Sequence, residues 1–184
     1  MTDNLKLYVV DTQYINYLKQ FQEHIWDNDD KGKIRPYIGI LIPLNNFNYY
    51  APLSSPKQKH DSMKDRLDFI RIDHKNELKC VINLNNIIPV NDFSISLLDI
   101  ENEEELYRNL LNTELIEIRK KQHTIINNSG ILYNKITRHI KDNPKLANIC
   151  YDFKLLEEKC NEYRLIYDKF IKQVAATEDD FKTS

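Results

Sequence analysis

The sequence predicts an α+β protein: a small, highly curved, mostly antiparallel β-barrel wrapped by α-helices. Two observations lead there. Up to about residue 99, short apolar runs rich in Val, Ile and Tyr alternate with polar turns, the pattern of strands joined by tight connections. Beyond residue 100, leucines and isoleucines recur at three- and four-residue spacing, which is the helical period. Five or six short strands followed by helices favour a compact barrel with a helical wrap.

Leu5 to Val10 reads as the first strand. Asp11 or Thr12 caps the helix that follows, and Ile15, Leu18, Phe21 and Ile25 form its apolar face. Asn28 to Gly32 is a polar break. Pro36 to Leu44 is a nearly continuous apolar strand, with Pro43 suited to a sheet edge. Asn45 and Asn46 turn the chain, and Phe47 to Leu53 returns as the clearest hairpin in the sequence. Leu67 to Ile72 and Leu78 to Leu84 are strands joined by the polar turn Asp73 to Asn76, and Ile87 to Val90 is a short sixth strand. Glu103 to Ile126 then reads as a helix carrying Leu106, Leu110, Leu111, Leu115 and Ile118. Ser129 caps a second helix with Ile131, Leu132, Ile136 and Ile140, which Asn143-Pro144 breaks. Tyr151 to Val174 is a third, with Phe153, Leu156, Cys160, Tyr163, Tyr167 and Phe170 on one side. Residues 1–175 thus read as one domain, with a β-rich core at 1–99 and a helical part at 100–175. The polar stretch 176–184 reads as a disordered tail.

The chain has 184 residues and 41% hydrophobic content, enough for one buried core. Mean hydropathy is −0.59, and no apolar run approaches the roughly 20 residues of a membrane span. The first residues show no secretory pattern. Cys80, Cys150 and Cys160 lack CxxC spacing, which argues against a disulfide framework or a zinc site and for a reducing cytosol. The five histidines are scattered without ligand spacing, so no metal is expected. Net charge is −2, so nucleic-acid binding is not advertised by the whole. Cations nonetheless cluster locally at Lys31, Lys33, Arg35, Lys57, Lys59, Lys64, Arg66 and Arg71, and phosphate contacts need only local charge.

One stretch concentrates chemistry: Tyr50-Ala51-Pro52-Leu53-Ser54-Ser55-Pro56-Lys57-Gln58-Lys59-His60. Pro52 and Pro56 hold two hydroxyls in a stiff, extended turn. Cationic donors follow at once, an arrangement that can grip a phosphodiester and move protons near it. Such a stretch alone is more often an ordinary Ser-Pro turn at a strand end.

The stretch does not stand alone. It comes in order with Leu7-Tyr8, Tyr14-Ile15-Asn16-Tyr17-Leu18, Arg35-Pro36-Tyr37-Ile38-Gly39-Ile40, Asp68-Phe69-Ile70-Arg71-Ile72, Val81 to Val90, Ser96-Leu97-Leu98-Asp99 and Leu155-Leu156-Glu157-Glu158-Lys159. This series resembles the ToxN/AbiQ family, endoribonuclease toxins of type III toxin–antitoxin systems that also act in phage abortive infection. Lys57-Gln58-Lys59-His60 looks closest to the AbiQ-like branch. The resemblance implies a MazF/Kid-like barrel and metal-independent RNA cleavage by 2′-hydroxyl attack, leaving a 2′,3′-cyclic phosphate and a 5′-hydroxyl. It also implies a small repetitive antitoxin RNA, a pseudoknot, which the protein processes and which then inhibits it within a cyclic protein–RNA assembly. Cellular and phage RNAs would be the substrates. No cofactor is implied.

The catalytic candidates are Ser55, Lys57, Ser54, Tyr14 and Arg35. Ser55 stands at the family's key serine and would donate to the phosphate or relay a proton; as an ordinary turn hydroxyl it would bond nearby backbone. Lys57 stands at the motif lysine and would neutralise the transition-state charge or exchange a proton. Arg35 keeps a cation where some relatives carry lysine, but guanidinium stays protonated and cannot serve as acid or base. Tyr14 either meets the RNA or is a core aromatic at helical spacing. The RNA-binding candidates are Lys31, Lys33, Tyr49, Tyr50, Lys59, His60, Lys64, Phe153 and Lys154, cations for phosphate and aromatics for splayed bases. His60 is also an acid or base by its pKa range. Rival readings are a non-catalytic RNA-binding module and, less well supported, a metal-dependent nuclease.

Overall fold

The computed structural model describes residues 4–26, 29–30, 33–44 and 46–182, with side chains at 4–26, 35–39 and 46–174. In chain order the elements are β1 (Leu7–Val10), α1 (Thr12–Leu18), β2 (Asp29–Asp30), β3 (Lys33–Ile34), β4 (Tyr37–Leu44), β5 (Phe47–Ser54), β6 (Phe69–His74), β7 (Glu77–Asn83), β8 (Ile88–Pro89), β9 (Ile95–Leu97), α2 (Glu105–Lys120), α3 (Gln122–Arg138), α4 (Pro144–Ala147) and α5 (Phe153–Lys182). The protein is α+β, an antiparallel sheet with helices.

The main sheet is antiparallel and runs β6-β7-β5-β4-β1-β9, with β8 added against β5. β5 is its pivot. On one side it pairs with β4, setting Tyr50 opposite Gly39 and Ala51 opposite Ile38. On the other it pairs first with β8, through Tyr49 and Tyr50, and then with β7, through Leu53 and Ser54. This change of partner turns the sheet, and register shifts between Ile40 and Leu44 and between Ile72 and Asp73 bend it further. The sheet does not close into the expected barrel. β6 and β9 end the path, and among the described residues no ladder joins them. Instead α2 packs on β6 and on the 3₁₀ turn Ile100–Asn102 that follows β9. Helix packing stands where strand pairing would complete a ring.

Local chemistry sets the turns. Asp11 caps α1 by accepting from the amides of Gln13 (2.6 Å) and Tyr14 (3.2 Å). Lys75 and Asn76 both have positive φ, 50° and 65°, as a tight β6–β7 hairpin demands. Gly39 lies under the rings of Tyr8 and Tyr50, which meet edge to face at 5.3 Å. A Cβ there would come within 2.6 Å of Tyr8 Cε2.

Four expectations differ from the fold. α1 ends at Leu18, so Phe21 lies off the core face and exposed, although Ile25 is buried from the following loop. The expected long helix from Glu103 is divided at Lys121, whose φ of −96° and ψ of 5° end α2. Ser129 is not a cap; it is buried inside α3 and its hydroxyl donates to the Ile125 carbonyl at 2.7 Å. α5 runs on to Lys182, into the stretch expected to be a disordered tail. No helix of the described residues is long and apolar enough to cross a membrane.

The helices reach the sheet through apolar packing and one polar cluster. Leu111, Ile118, Ile125, Leu132, Phe153 and Leu156 are wholly buried and share one core with Ile70, Ile72, Ile82 and Ala51. Among them, Glu157 Oε1 accepts from the phenols of Tyr49 (2.8 Å) and Tyr133, and Glu157 Oε2 accepts from Lys154 Nζ (2.8 Å). A carboxylate 6% exposed is thereby satisfied from three elements at once.

Candidate active site

The end of β5 separates two neighbouring serines. Ser54 still belongs to the strand, is buried, and accepts at its Oγ from Asn83 Nδ2 on β7 at 3.1 Å. Ser55 lies one residue beyond the ladder and is exposed. Its hydroxyl makes no hydrogen bond to a described residue. Alternation along an extended chain puts successive side chains on opposite sides, and here the inner one is committed to structure.

After Pro56 the chain enters a 3₁₀ turn, Gln58–His60. The Lys57 amide donates to His60 Nδ1 at 3.1 Å, while the His60 amide donates to the Lys57 carbonyl at 2.7 Å. His60 is therefore a buried clamp, 4% exposed with its ring 5.5 Å from that of Phe69, and not an RNA contact. Its pKa lies below the ordinary 6.5, first because burial disfavours the cation and then because Lys59, Lys57 and Arg71 surround it. With Nδ1 accepting, the neutral ring carries its proton on Nε2.

Arg71 fixes the turn from below. Its Nη1 donates to the carbonyls of His60 and Met63, and its Nη2 donates to Asp73 Oδ1 at 2.7 Å. The Arg71 amide donates to Asp65 Oδ1 at 2.8 Å, and Lys121 Nζ donates to Asp65 Oδ2 at 2.8 Å. β6 and the α2–α3 joint thus hold the segment from Lys57 to Asp65 in one shape.

Arg35 reaches the same place from the other side of the hairpin. Its Nη1 donates to the Leu53 carbonyl at 3.0 Å, two residues before Ser55. Its guanidinium lies 4.8 Å from the centre of the Trp26 ring, and Lys57 Nζ lies 6.0 Å from that centre. Ser55, Lys57, Arg35 and Trp26 therefore gather around the end of β5. Lys59 and Lys64 are exposed on the same segment.

Other sequence candidates lie elsewhere. Tyr14 is wholly buried, with its phenol donating to the Pro89 carbonyl at 2.7 Å and its ring 5.0 Å from that of Tyr163. Burial, above all, raises its pKa well above the ordinary phenol value. Tyr49 and Phe153 are core residues, and Tyr50 is buried beneath Tyr8, so their rings cannot receive bases. Lys154 is engaged by Glu157 and accompanied by the Tyr133 phenol, which accepts from its Nζ at 3.1 Å. Lys33 lies in β3 opposite Asp30, with its side chain outside the described residues, and Lys31 lies outside them altogether.

Two contributors escaped the sequence reading. Asn83 supports the turn from β7, and Trp26 lies beside the cations. Arg71, counted in the sequence only among the clustered cations, instead supports the turn from β6. The signal for Trp26 was modest, the chain's single tryptophan.

Comparison with known proteins gives this arrangement a context. Residues 6–161 match the family model described as toxin ToxN of type III toxin–antitoxin systems. Endoribonuclease ToxN of Pectobacterium atrosepticum is 31% identical over 86% of this chain and 94% of its own length. Endoribonuclease ToxN of Bacillus thuringiensis subsp. kurstaki is 29% identical over 88% and 86%, and endoribonuclease AbiQ of Lactococcus lactis subsp. lactis is 30% identical over 86% and 89%. A solved structure concerned with selective toxin inhibition by a non-coding RNA pseudoknot has a TM-score of 0.78 at 27% identity, over 88% of this chain and 99% of that one. The structure of AbiQ, a lactococcal anti-phage endoribonuclease, has a TM-score of 0.77 at 26% identity, over 88% and 99%.

Proposed function

The chain belongs to the ToxN family of type III toxin–antitoxin toxins, and from that premise we propose that it is an endoribonuclease whose active site is the turn after β5. The observation that carries this reading is the gathering of two cations, Lys57 and Arg35, beside Trp26 at the end of β5, where Ser55 leaves the strand exposed.

The chemistry needs a hydrogen-bond donor and positive charge at the phosphate, and a carrier for one proton. The 2′-oxygen of the substrate attacks the neighbouring phosphorus as its proton passes to water. The bond to the 5′-oxygen breaks as that oxygen takes a proton from water. The products are a 2′,3′-cyclic phosphate and a 5′-hydroxyl. Ser55 donates a hydrogen bond to a non-bridging oxygen, where charge grows in the transition state. Lys57 and Arg35 supply positive charge to the same phosphate, and Arg35 does so without exchanging its proton. His60, neutral and buried, does not transfer protons; it sets the backbone from which Lys57 extends.

The partner we infer is a small repetitive antitoxin RNA, as for the relative inhibited by a pseudoknot. The protein would cut the precursor and keep the product in the site, closing a head-to-tail ring of protein and RNA in the cytoplasm. In this reading the open curved sheet serves as the barrel-like core, with α2 bridging its unpaired ends.

Purified protein incubated with unstructured RNA in excess EDTA tests the activity. Cuts that leave 5′-hydroxyl ends, undiminished by EDTA and lost in Ser55→Ala, are expected. Cleavage abolished by EDTA would overturn the metal-independent route. RNA binding with no cutting by the wild type would leave a binding module.

A further inference from the structure

We propose that Trp26 is the base-stacking platform of this site: an unpaired RNA base lies on its indole while the adjoining phosphate is held by Lys57 and Arg35. The proposal rests on the reading of the β5 turn as an RNA site and names a contact within it. The aromatics that the sequence offered for this task, Tyr49, Tyr50 and Phe153, are all buried. Phe69, Tyr37 and Tyr151 near the turn are buried as well. Trp26 is part-exposed and stands beside the two cations at 4.8 and 6.0 Å.

Its position is held rather than loose. Ile25, just before it, is 4% exposed, and the Tyr151 phenol donates to the His24 carbonyl at 2.7 Å. His24 itself has a φ of 65°, so the chain turns sharply into Trp26. Arg35 is fixed in turn by the Leu53 carbonyl, which holds the guanidinium 4.8 Å from the centre of the indole. A base laid on the indole needs no edge-specific hydrogen bonds, since every base presents a π-face. The platform therefore selects unpaired RNA over duplex, whose bases stay stacked on one another. It lies at the cations, so the base it takes is next to the phosphate they hold.

The single tryptophan makes the test direct, because all indole emission comes from position 26. The probe is a randomised pool of 2′-O-methyl oligoribonucleotides, in which the attacking hydroxyl is blocked. Binding is followed separately by anisotropy of a 5′-label. Emission quenched in step with anisotropy, and not by duplexed pool, is the expected result. Trp26→Ala should bind roughly 10-fold more weakly, with Trp26→Phe recovering part of the loss and both keeping the wild-type melting temperature. Anisotropy that rises with unchanged emission overturns the platform while leaving the nuclease reading intact. So does a folded Trp26→Ala that binds and cuts as the wild type does. No anisotropy change at any concentration removes the RNA site itself, and the platform with it.

Discussion

The turn after β5 and the Tyr49–Tyr133–Glu157–Lys154 cluster use the same polar chemistry to opposite ends. In the cluster, two buried phenols and a buried carboxylate satisfy one another, with the half-exposed Lys154 ammonium closing the set at its edge, so their bonds go into holding α5 on α3 and the sheet. In the turn, the backbone is fixed by His60 and Arg71 but the outward groups, Ser55 and Lys57, face solvent. The lesson is that a preorganised site separates support from reaction, residue by residue. Ser54 and Ser55 show the division at its finest, since one bond of chain lies between them.

If that division is real, each side should respond to a different assay. The largest effect is expected at Ser55. Ser55→Ala should lower the cleavage rate about 10²–10³-fold, the usual loss of a preorganised donor to a transition state, while urea denaturation stays at the wild-type midpoint. Next comes Glu157→Ala, which leaves two buried phenols without their acceptor; it should cost about 3 kcal/mol in stability by urea denaturation. The fraction still folded should cut RNA at near the wild-type rate. Tyr14→Phe should cost about 1 kcal/mol by orphaning the Pro89 carbonyl, again with cleavage preserved. A Tyr14→Phe protein of full stability that no longer cuts would break the comparison by returning Tyr14 to the chemistry.

The smallest effect sharpens the boundary itself, because His60 is the support that touches the reactive side. Its folded pKa lies below the ordinary 6.5, so the unfolded chain binds more protons as pH falls through that value. Its contribution to stability is thus fully present above 6.5 and lost below it. Glu114 acts in the opposite sense: burial raises its pKa from 4.5 to about 7, so its ionisation weakens the fold as pH rises through that window. The His60 effect must therefore be read as a difference. Stability measured from pH 7 to pH 5 should fall more steeply in the wild type than in His60→Gln, and equal slopes would remove His60 from the clamp.

How far these roles were legible in the sequence depended on whether the deciding partner was near. The hairpin from Tyr37 to Ser54 and the turn at Ser55 are local, and proline, asparagine and strand periodicity marked them. The fate of Tyr49 was not, because its acceptor Glu157 lies 108 residues away. An aromatic in a strand looks the same whether its phenol meets a distant carboxylate or an RNA base. The α2–α3 joint was hidden for another reason. Ile118 and Ile125 on either side of Lys121 are seven residues apart, which continues the helical period across the break. Trp26 sits outside any regular element, so no periodicity could speak for it. The open sheet was likewise beyond reach, since closure by α2 instead of by strand pairing depends on contacts between remote segments.

Gly39 has a bearing on how such a hairpin can change over time. With Tyr8 Cε2 2.6 Å from where a Cβ would stand, positions 8 and 39 cannot be altered in either order with equal ease. Alanine at 39 collides with the ring if it arrives first, yet meets less obstruction once Tyr8 has given way to a smaller residue. Positions 8 and 39 are therefore coupled: a smaller residue at 8 removes the nearest obstruction to a side chain at 39 and leaves the Tyr50 ring, 3.3 Å away, as the next.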